Sequence, residues 1–267
     1  MRFAKCLFFG SVILVGGANT AWGDEIQLVK TADLTARIYD GDSIDILGIK
    51  IGMTPDQVRT IIATEYGVPP VEEQTSISIT YKSITVTTQS YLDTLKAQKP
   101  GNADQISVSF GNPATGNTVV GVSRHLVFAD PLTAPKITAL YAQLDSKYGP
   151  ESVPKPISFS PDLFVVKWAF NASGHIKCPF DLCITANDTY APGNMTEYQR
   201  TVATGQHVVV QAGLFPYATD SSRASRLEIA IDDQASKARS SQEALTQLQA
   251  AGEKAYATAK PQEAPKL

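Results

Sequence analysis

The stretch from Asp45 to Gly67 constrains the fold more than any other, because an apolar run, a full set of helix-start signals and a helix-stop signal follow one another within it. Ile46, Leu47, Ile49 and Ile51 form an apolar run broken by Gly48 and ended by Gly52, which predicts a strand of five or six residues. Thr54 then stands where an N-cap is needed. Pro55 takes the first helical position, where its missing N–H costs nothing, and Asp56 faces the positive end of the helix dipole. Gln57 completes a capping box, and Met53 is placed to pack on Val58 as a hydrophobic staple. Val58, Ile61, Ile62 and Tyr66 share one helical face, and Gly67 suits the left-handed residue that ends a helix.

Downstream the pattern turns to β. Ile77, Ile79 and Tyr81 alternate with Ser76, Ser78 and Thr80, and Ile84 and Val86 with Thr85 and Thr87, predicting two half-buried antiparallel strands or one long bent one. Tyr91 to Ala103 reads as a polar connection. Ile106, Val108 and Phe110 give the next strand and Val119 to Phe128 another, joined by a hairpin turn over Gly111–Asn117; the Gly-x4-Gly spacing there lacks the lysine and the following helix of a phosphate loop. A second helix is expected from Thr133 and Pro135, carrying Ile137, Leu140, Tyr141, Leu144 and Tyr148 and ending at Gly149. Aligned on Tyr-Gly, Val58, Ile62 and Tyr66 match Leu140, Leu144 and Tyr148. Strands follow again through Phe164–Phe170, Val208–Leu214 and Leu227–Ile231. The expected fold is α+β: two copies of a helix packed on an antiparallel sheet, over 46–128 and 129–233. Segment 234–267 follows, with a helix from about Gln234 to Ala250 and a disordered tail from Pro261.

The strand, the Gly52-Met53-Thr54-Pro55 cap and the short helix ending in Tyr66-Gly67 resemble the opening of the small α/β module shared by the SmpA/OmlA outer-membrane assembly lipoproteins and the β-lactamase inhibitory proteins. The resemblance covers residues 46–67, with a second instance expected at 130–150. It implies a helical layer against an antiparallel sheet, and binding to other proteins. The SmpA/OmlA proteins carry a lipid-anchoring cysteine at the signal cleavage site, whereas Cys6 lies ahead of the apolar core, so the resemblance does not extend to the anchor.

Arg2 and Lys5 precede an apolar run from Leu7 to Val15, and Ala21-Trp22-Gly23 puts small residues at the cleavage positions before Asp24. Residues 1–23 therefore read as a signal peptide, and 24–45 as a leader. The run falls short of the roughly twenty residues a membrane helix needs, and no integral membrane segment is expected after cleavage. Cleavage of residues 1–23, which include Arg2 and Lys5, leaves 244 residues with a formal charge of −5, which argues against nucleic acid and anionic membranes as partners. The expected location is the periplasm or the medium of a bacterium. Cys178 and Cys183 are then the only cysteines, an even pair in an exported chain, and are expected to form a disulfide. Closing so short a loop contributes roughly 2 kcal/mol. His175 joined to the two cysteines matches no zinc spacing and lacks a fourth ligand, and Ile44 stands where a calcium loop through Asp40, Asp42 and Asp45 needs an oxygen. No metal and no cofactor is expected. Asn171 to Gln206, with Asn-x-Ser/Thr triplets at Asn171, Asn187 and Asn194, reads as a long polar loop and the variable surface.

The chain has no nucleophile elbow, no His-Glu-x-x-His, no complete P-loop and no dinucleotide fingerprint. His125, His175 and His207 lie on a strand, in the loop and at a strand start, none beside a nucleophile and an orienting group. Ser123 and His125 share a strand face but lack the sharp turn and oxyanion hole of a hydrolase. No residue is a catalytic candidate. Arg124 has the parity of Val120, Val122, Leu126 and Phe128, so alternation points it to the buried side, where an unpaired charge is prohibitive. A carboxylate from the helix layer or an edge position is expected beside it, with ligand binding as the alternative. Trp168 reads as core from its apolar flanks, or as a binding anchor if exposed. Arg124 and Trp168 are thus the candidate binding residues.

The function expected is that of an exported, soluble protein-binding or envelope-associated module without catalytic activity, whose partner is another envelope or secreted protein. It predicts a contiguous apolar and aromatic patch exposed on the sheet. A hydrolase assembled from residues distant in sequence predicts instead a pocket where a histidine meets a carboxylate or serine. A structural envelope component is the third alternative, favoured if neither exists.

Overall fold

A computed structural model of the chain describes residues 25–34, 44–153, 157–160, 163–177 and 207–259. The expected signal peptide, Asp40 and Asp42, the Cys178–Cys183 disulfide, Asn187, Asn194, most of the 171–206 loop and the tail from Pro261 lie outside the described residues. In chain order the elements begin with β1 (Glu25–Ile26), β2 (Asp45–Ile46), β3 (Ile49–Lys50), α1 (Pro55–Tyr66), β4 (Val71–Thr75), β5 (Ser78–Tyr81) and β6 (Ile84–Thr88). They continue with β7 (Tyr91–Gln98), β8 (Asp104–Phe110), β9 (Val119–Val127), α2 (Ile137–Tyr148), β10 (Ile157–Ser160), β11 (Leu163–Asn171), β12 (Gly174–Ile176), β13 (Val208–Pro216), β14 (Ala224–Asp233) and α3 (Gln234–Thr258).

The helix at the organising stretch forms as its caps dictate. Thr54 accepts the Gln57 N–H, the Gln57 side chain reaches back to the Thr54 N–H at 2.9 Å, and Gly67 closes the helix at φ 70°. Val58, Ile62 and Tyr66 are buried, and each fully covered aliphatic side chain contributes roughly 1.5–3 kcal/mol. The preceding segment is a hairpin and not one strand. Leu47 and Gly48 take positive φ between β2 and β3, and the Gly48 N–H donates to Asp45 Oδ1 at 2.8 Å, so the glycine makes the turn.

The main sheet is antiparallel throughout, in the order β10-β11-β13-β14-β9-β8-β7-β4, with β12 added beside β11. One face is covered by α1, the β2–β3 hairpin and α2, which share a single core with the inward residues of β7 to β9 and of β11, β13 and β14. Trp168 lies at its centre, fully buried, with its Nε1–H donating to Gly149 O at 2.7 Å and its ring 5.3 Å from that of Tyr148.

Three expectations change. Thr133 and Pro135 do not open α2, which starts at Ile137 with Lys136 as an N-cap that makes no side-chain bond. Asp130 gathers Thr133 into a turn of its own, and residues 134–137 bond instead to residues 222–224: Ile137 N–H to Ser222 O at 2.9 Å, Ala224 N–H to Pro135 O at 3.0 Å. Tyr91–Ala103 is no connection, since most of it is β7, inside the main sheet. A bulge at Asp93, opposite the step from Glu73 to Gln74, breaks the alternation by which the strand would have been read. The strands at 78–88 form a hairpin outside the main sheet, where β6 also takes β1 as a parallel neighbour.

The long helix α3 packs on this small sheet around Leu28, Ile77, Val86, Tyr91, Ala244 and Leu248. Its first turns dock through polar groups. Ser240 Oγ accepts from the Asn112 N–H at 2.8 Å and from Thr115 Oγ1 at 3.0 Å, and Asn112 Nδ2 donates to Ser240 O at 2.7 Å. Lys237, fully buried, is ion-paired with Asp232. The 111–117 turn expected between β8 and β9 is therefore also the seat of α3.

Candidate functional site

The second face of the main sheet, away from α1 and α2, forms an open groove of about 950 Å³, with the first turns of α3 at one end, where Lys237 meets Asp232. Its floor follows from register and period 2. Nearest α3 lies a row of Asp232, Gly121, Ser109, Thr94 and Glu73 across five strands. The next row holds Lys167, Gln211, Ala230, Ser123, Ser107 and Lys96, the third Val165, Gly213, Glu228, His125 and Gln105, and the last Phe215, Arg226 and Val127. At strand spacings of about 4.8 Å, the five strands from β13 to β7 give the floor a width of roughly 19 Å.

This floor is polar at its centre. Ser107, Ser123, Gln105, Gln211 and His125 meet there, while apolar groups gather at two margins, Val68, Pro69 and Val71 by β4 and Leu163, Val165 and Phe215 by β11 and β13. The contiguous apolar and aromatic patch expected on the sheet is not what the face presents. Strand alternation puts Gln105, Ser107 and Ser109 of β8, Ser123 and His125 of β9 and Gln211 of β13 on the groove side, and the aromatic there, Phe215, is covered by the Arg226 guanidinium 3.6 Å from its centroid.

Most charges on the groove side are already matched. Lys96 binds Glu73 at 2.8 Å, Arg226 Nε lies 3.1 Å from Glu228 Oε1, and Lys237 holds Asp232. Asp93 differs. The bulge turns it into the groove, half-buried, and it accepts a hydrogen bond from Thr94 Oγ1 at 2.9 Å, but it has no cation within ion-pair distance among the described residues. Burial raises its pKa and Glu73 adds to the rise, while the Thr94 bond and the more distant charges of Lys237 and Lys96 offset only part of it. Among the described residues, Ser109 Oγ, His125 Nε2 and Gln211 Oε1 on the same floor are buried without a hydrogen-bond partner. Ser109 is 5% exposed, and its Oγ leans into the space left by Gly121, where a Cβ would come within 2.6 Å of it.

The sequence-predicted binding residues lie elsewhere. Arg124 turns to the helix-covered side and makes two bonds to Asp104, Nε to Oδ1 at 2.9 Å and Nη2 to Oδ2 at 2.8 Å, while Tyr66 of α1 donates to the same carboxylate at 2.9 Å. Burial pushes Asp104 up, but the Arg124 and Tyr66 hydrogen bonds outweigh it and hold its pKa below the usual value. Arg124 is thus consumed by a carboxylate from the neighbouring strand. Trp168 has no surface to offer a partner, and neither residue enters the functional proposal below.

A nucleophile–base–acid constellation is not assembled on the groove floor. His125 Nε2 stands 4.0 Å from Glu228 Oε1, beyond hydrogen-bond reach. His175 does meet a serine, with Nε2 2.9 Å from Ser152 Oγ, but Ser152 is 1% exposed and its hydroxyl also accepts the Ala169 N–H at 2.7 Å. That hydroxyl bridges β11 to β12 and has no room for a substrate. Among the described residues there is no group of three or more His, Cys, Asp or Glu placed to hold a metal, and no helix is long and apolar enough to cross a membrane.

Compared with protein-family models, curated proteins and solved structures, the chain matches none. The site therefore rests on its own geometry. Sequence reading missed Asp93, Ser107, Ser109 and Gln211. The signal that could have found the first was present in Leu95 and Ala97, which alternate with Lys96 and Gln98 as a half-buried strand does once one extra residue is allowed at Asp93.

Proposed function

We propose that this chain is an exported protein-binding module whose docking surface is the uncovered face of its eight-stranded sheet. The observation that carries the reading is the groove: about 950 Å³, on the face opposite α1 and α2, with a floor where Ser109 Oγ, His125 Nε2 and Gln211 Oε1 are buried and lack hydrogen-bond partners among the described residues. Apolar margins and a hydrogen-bonding centre suit a partner's polypeptide, since interfaces of this kind join apolar contact to direct hydrogen bonds. The reading also includes a duplication. The order β10-β11-β13-β14-β9-β8-β7-β4 is a palindrome in which α1, β4, β7, β8, β9 and α2, β10, β11, β13, β14 run in the same sequence from edge to centre. This supports two copies of one helix-plus-four-strand unit joined at β9 and β14, each a helical layer on an antiparallel sheet as the resemblance to the SmpA/OmlA and β-lactamase-inhibitory modules implies; export and an envelope or secreted partner rest on the signal-peptide pattern of residues 1–23.

The test is site-specific photo-crosslinking in the native envelope. A crosslinking side chain at Ser107, on the groove floor, is expected to trap a discrete protein that the same group at Glu65, exposed on α1, does not. Identical products from both positions, or none from Ser107, would refute the docking surface.

A further inference from the structure

We infer that the α3 end of the groove is a subsite for a cationic side chain, an arginine or lysine presented by the docked protein, with Asp93 as its counter-ion. The inference rests on the docking reading above and adds the chemistry of the partner.

The two lysines whose charge reaches Asp93 are each engaged by a different carboxylate, Lys96 by Glu73 at 2.8 Å and Lys237 by Asp232, and among the described residues no cation lies within ion-pair distance of Asp93. Its carboxylate is half-buried all the same, held in the groove wall by the bulge and anchored by Thr94 at 2.9 Å. A desolvated, hydrogen-bonded carboxylate without a cation costs stability unless something else supplies the positive charge. The second observation lies in the adjoining row. Ser109 pairs across the ladder with Thr94, is 5% exposed and has an Oγ without a partner, beside the bare Cα of Gly121. Asp93 and Ser109 thus both offer acceptors to the groove they line, and a guanidinium or ammonium brings donors only. A polypeptide lying across the floor would set this cation at one end and meet Gln211 and the apolar margin of Phe215 and Val165 towards the other.

The test uses the exported protein, wild type and Asp93→Asn, titrated with a capped Gly-Ser-Arg-Ser-Gly peptide and with the same peptide carrying citrulline for arginine, followed by amide NMR. Asparagine keeps an acceptor for Thr94, and unchanged resonances away from the groove establish that the variant is folded. The arginine peptide is expected to shift the amides of Asp93, Thr94 and Ser109 saturably, with at least tenfold weaker binding for citrulline and for Asp93→Asn. Absence of saturable shifts at those amides, or equal binding of the two peptides, overturns the inference. The two readings fail separately. If Ser107 crosslinks a partner equally well in Asp93→Asn, the docking surface stands and the cation subsite falls; if Ser107 traps nothing, the docking surface itself falls.

Discussion

Asp104 shows how much a single side chain carries in this fold. It neutralises Arg124, accepts from Tyr66 and sits 3.5 Å from Lys99, so it ties α1 to β8 and β9. Asp104→Ala leaves a largely covered guanidinium without its partner and is expected to cost about 3 kcal/mol, read from the urea midpoint. Parity in the sequence required a partner for Arg124, and the structure supplies one. Which carboxylate it would be was not legible, because Asp104 opens a strand after a polar turn and only the register of β8 on β9 brings it alongside. A second residue-scale outcome concerns pH. Burial, and Lys177 nearby, lower the His175 pKa from its ordinary 6.5, so its neutral ring stabilises the fold above that value and the contribution is lost as pH falls below 6.5 toward the folded pKa. Asp233 works the other way. It caps α3 through Ser236 N–H at 2.9 Å, fully buried, and burial raises it to about 6, only partly opposed by the Ser236 bonds. Its contribution is full below 3.8 and is lost as pH rises through 6. Urea midpoints from pH 7.5 to 4 separate the two: His175→Gln is expected to remove the loss on acidification and Asp233→Asn the gain.

At the scale of elements, local signals and tertiary ones divide cleanly. Every capping feature of α1 was readable because each bond joins residues three or four apart, and Thr54→Ala, which breaks the box, is expected to cost about 1 kcal/mol by thermal melting. The start of α2 was not readable. Its front turn is spent on strand-like bonds to residues 222–224, far along the chain, and propensity at Thr133 and Pro135 gave way to them. Strand β7 was hidden by its own bulge. For α3 the sequence showed too few apolar residues to promise docking, and the structure explains why they suffice: Ser240 and Asn112 join it to the β8–β9 turn, and Gly252 lets it approach β5. A Cβ at 252 would meet Tyr81 Cβ at 2.8 Å. Gly252→Ala, which raises helix propensity by about 1 kcal/mol, is therefore expected to destabilise the protein and speed amide exchange in α3. An increase in stability would show that the close approach is dispensable.

At the middle of the main sheet, strand alternation separates apolar from polar positions. Inward positions of β8, β9 and β13 carry Ile106, Val108, Val122, Val210 and Ala212, while the outward ones carry Ser107, Ser123 and Gln211. An α+β fold with a helix-covered antiparallel sheet was legible from this alternation. The groove was not, because it arises only when the strands lie side by side and leave the middle of the face opposite α1 and α2 uncovered. Its significance as a docking surface is tested most directly by titrating the protein that Ser107 traps against wild type and Ser107→Trp, a substitution that fills the floor without touching the core. The account predicts an affinity loss of at least about a hundredfold with an unchanged melting temperature, roughly 2.7 kcal/mol of binding free energy. Equal affinities for the two proteins would contradict it.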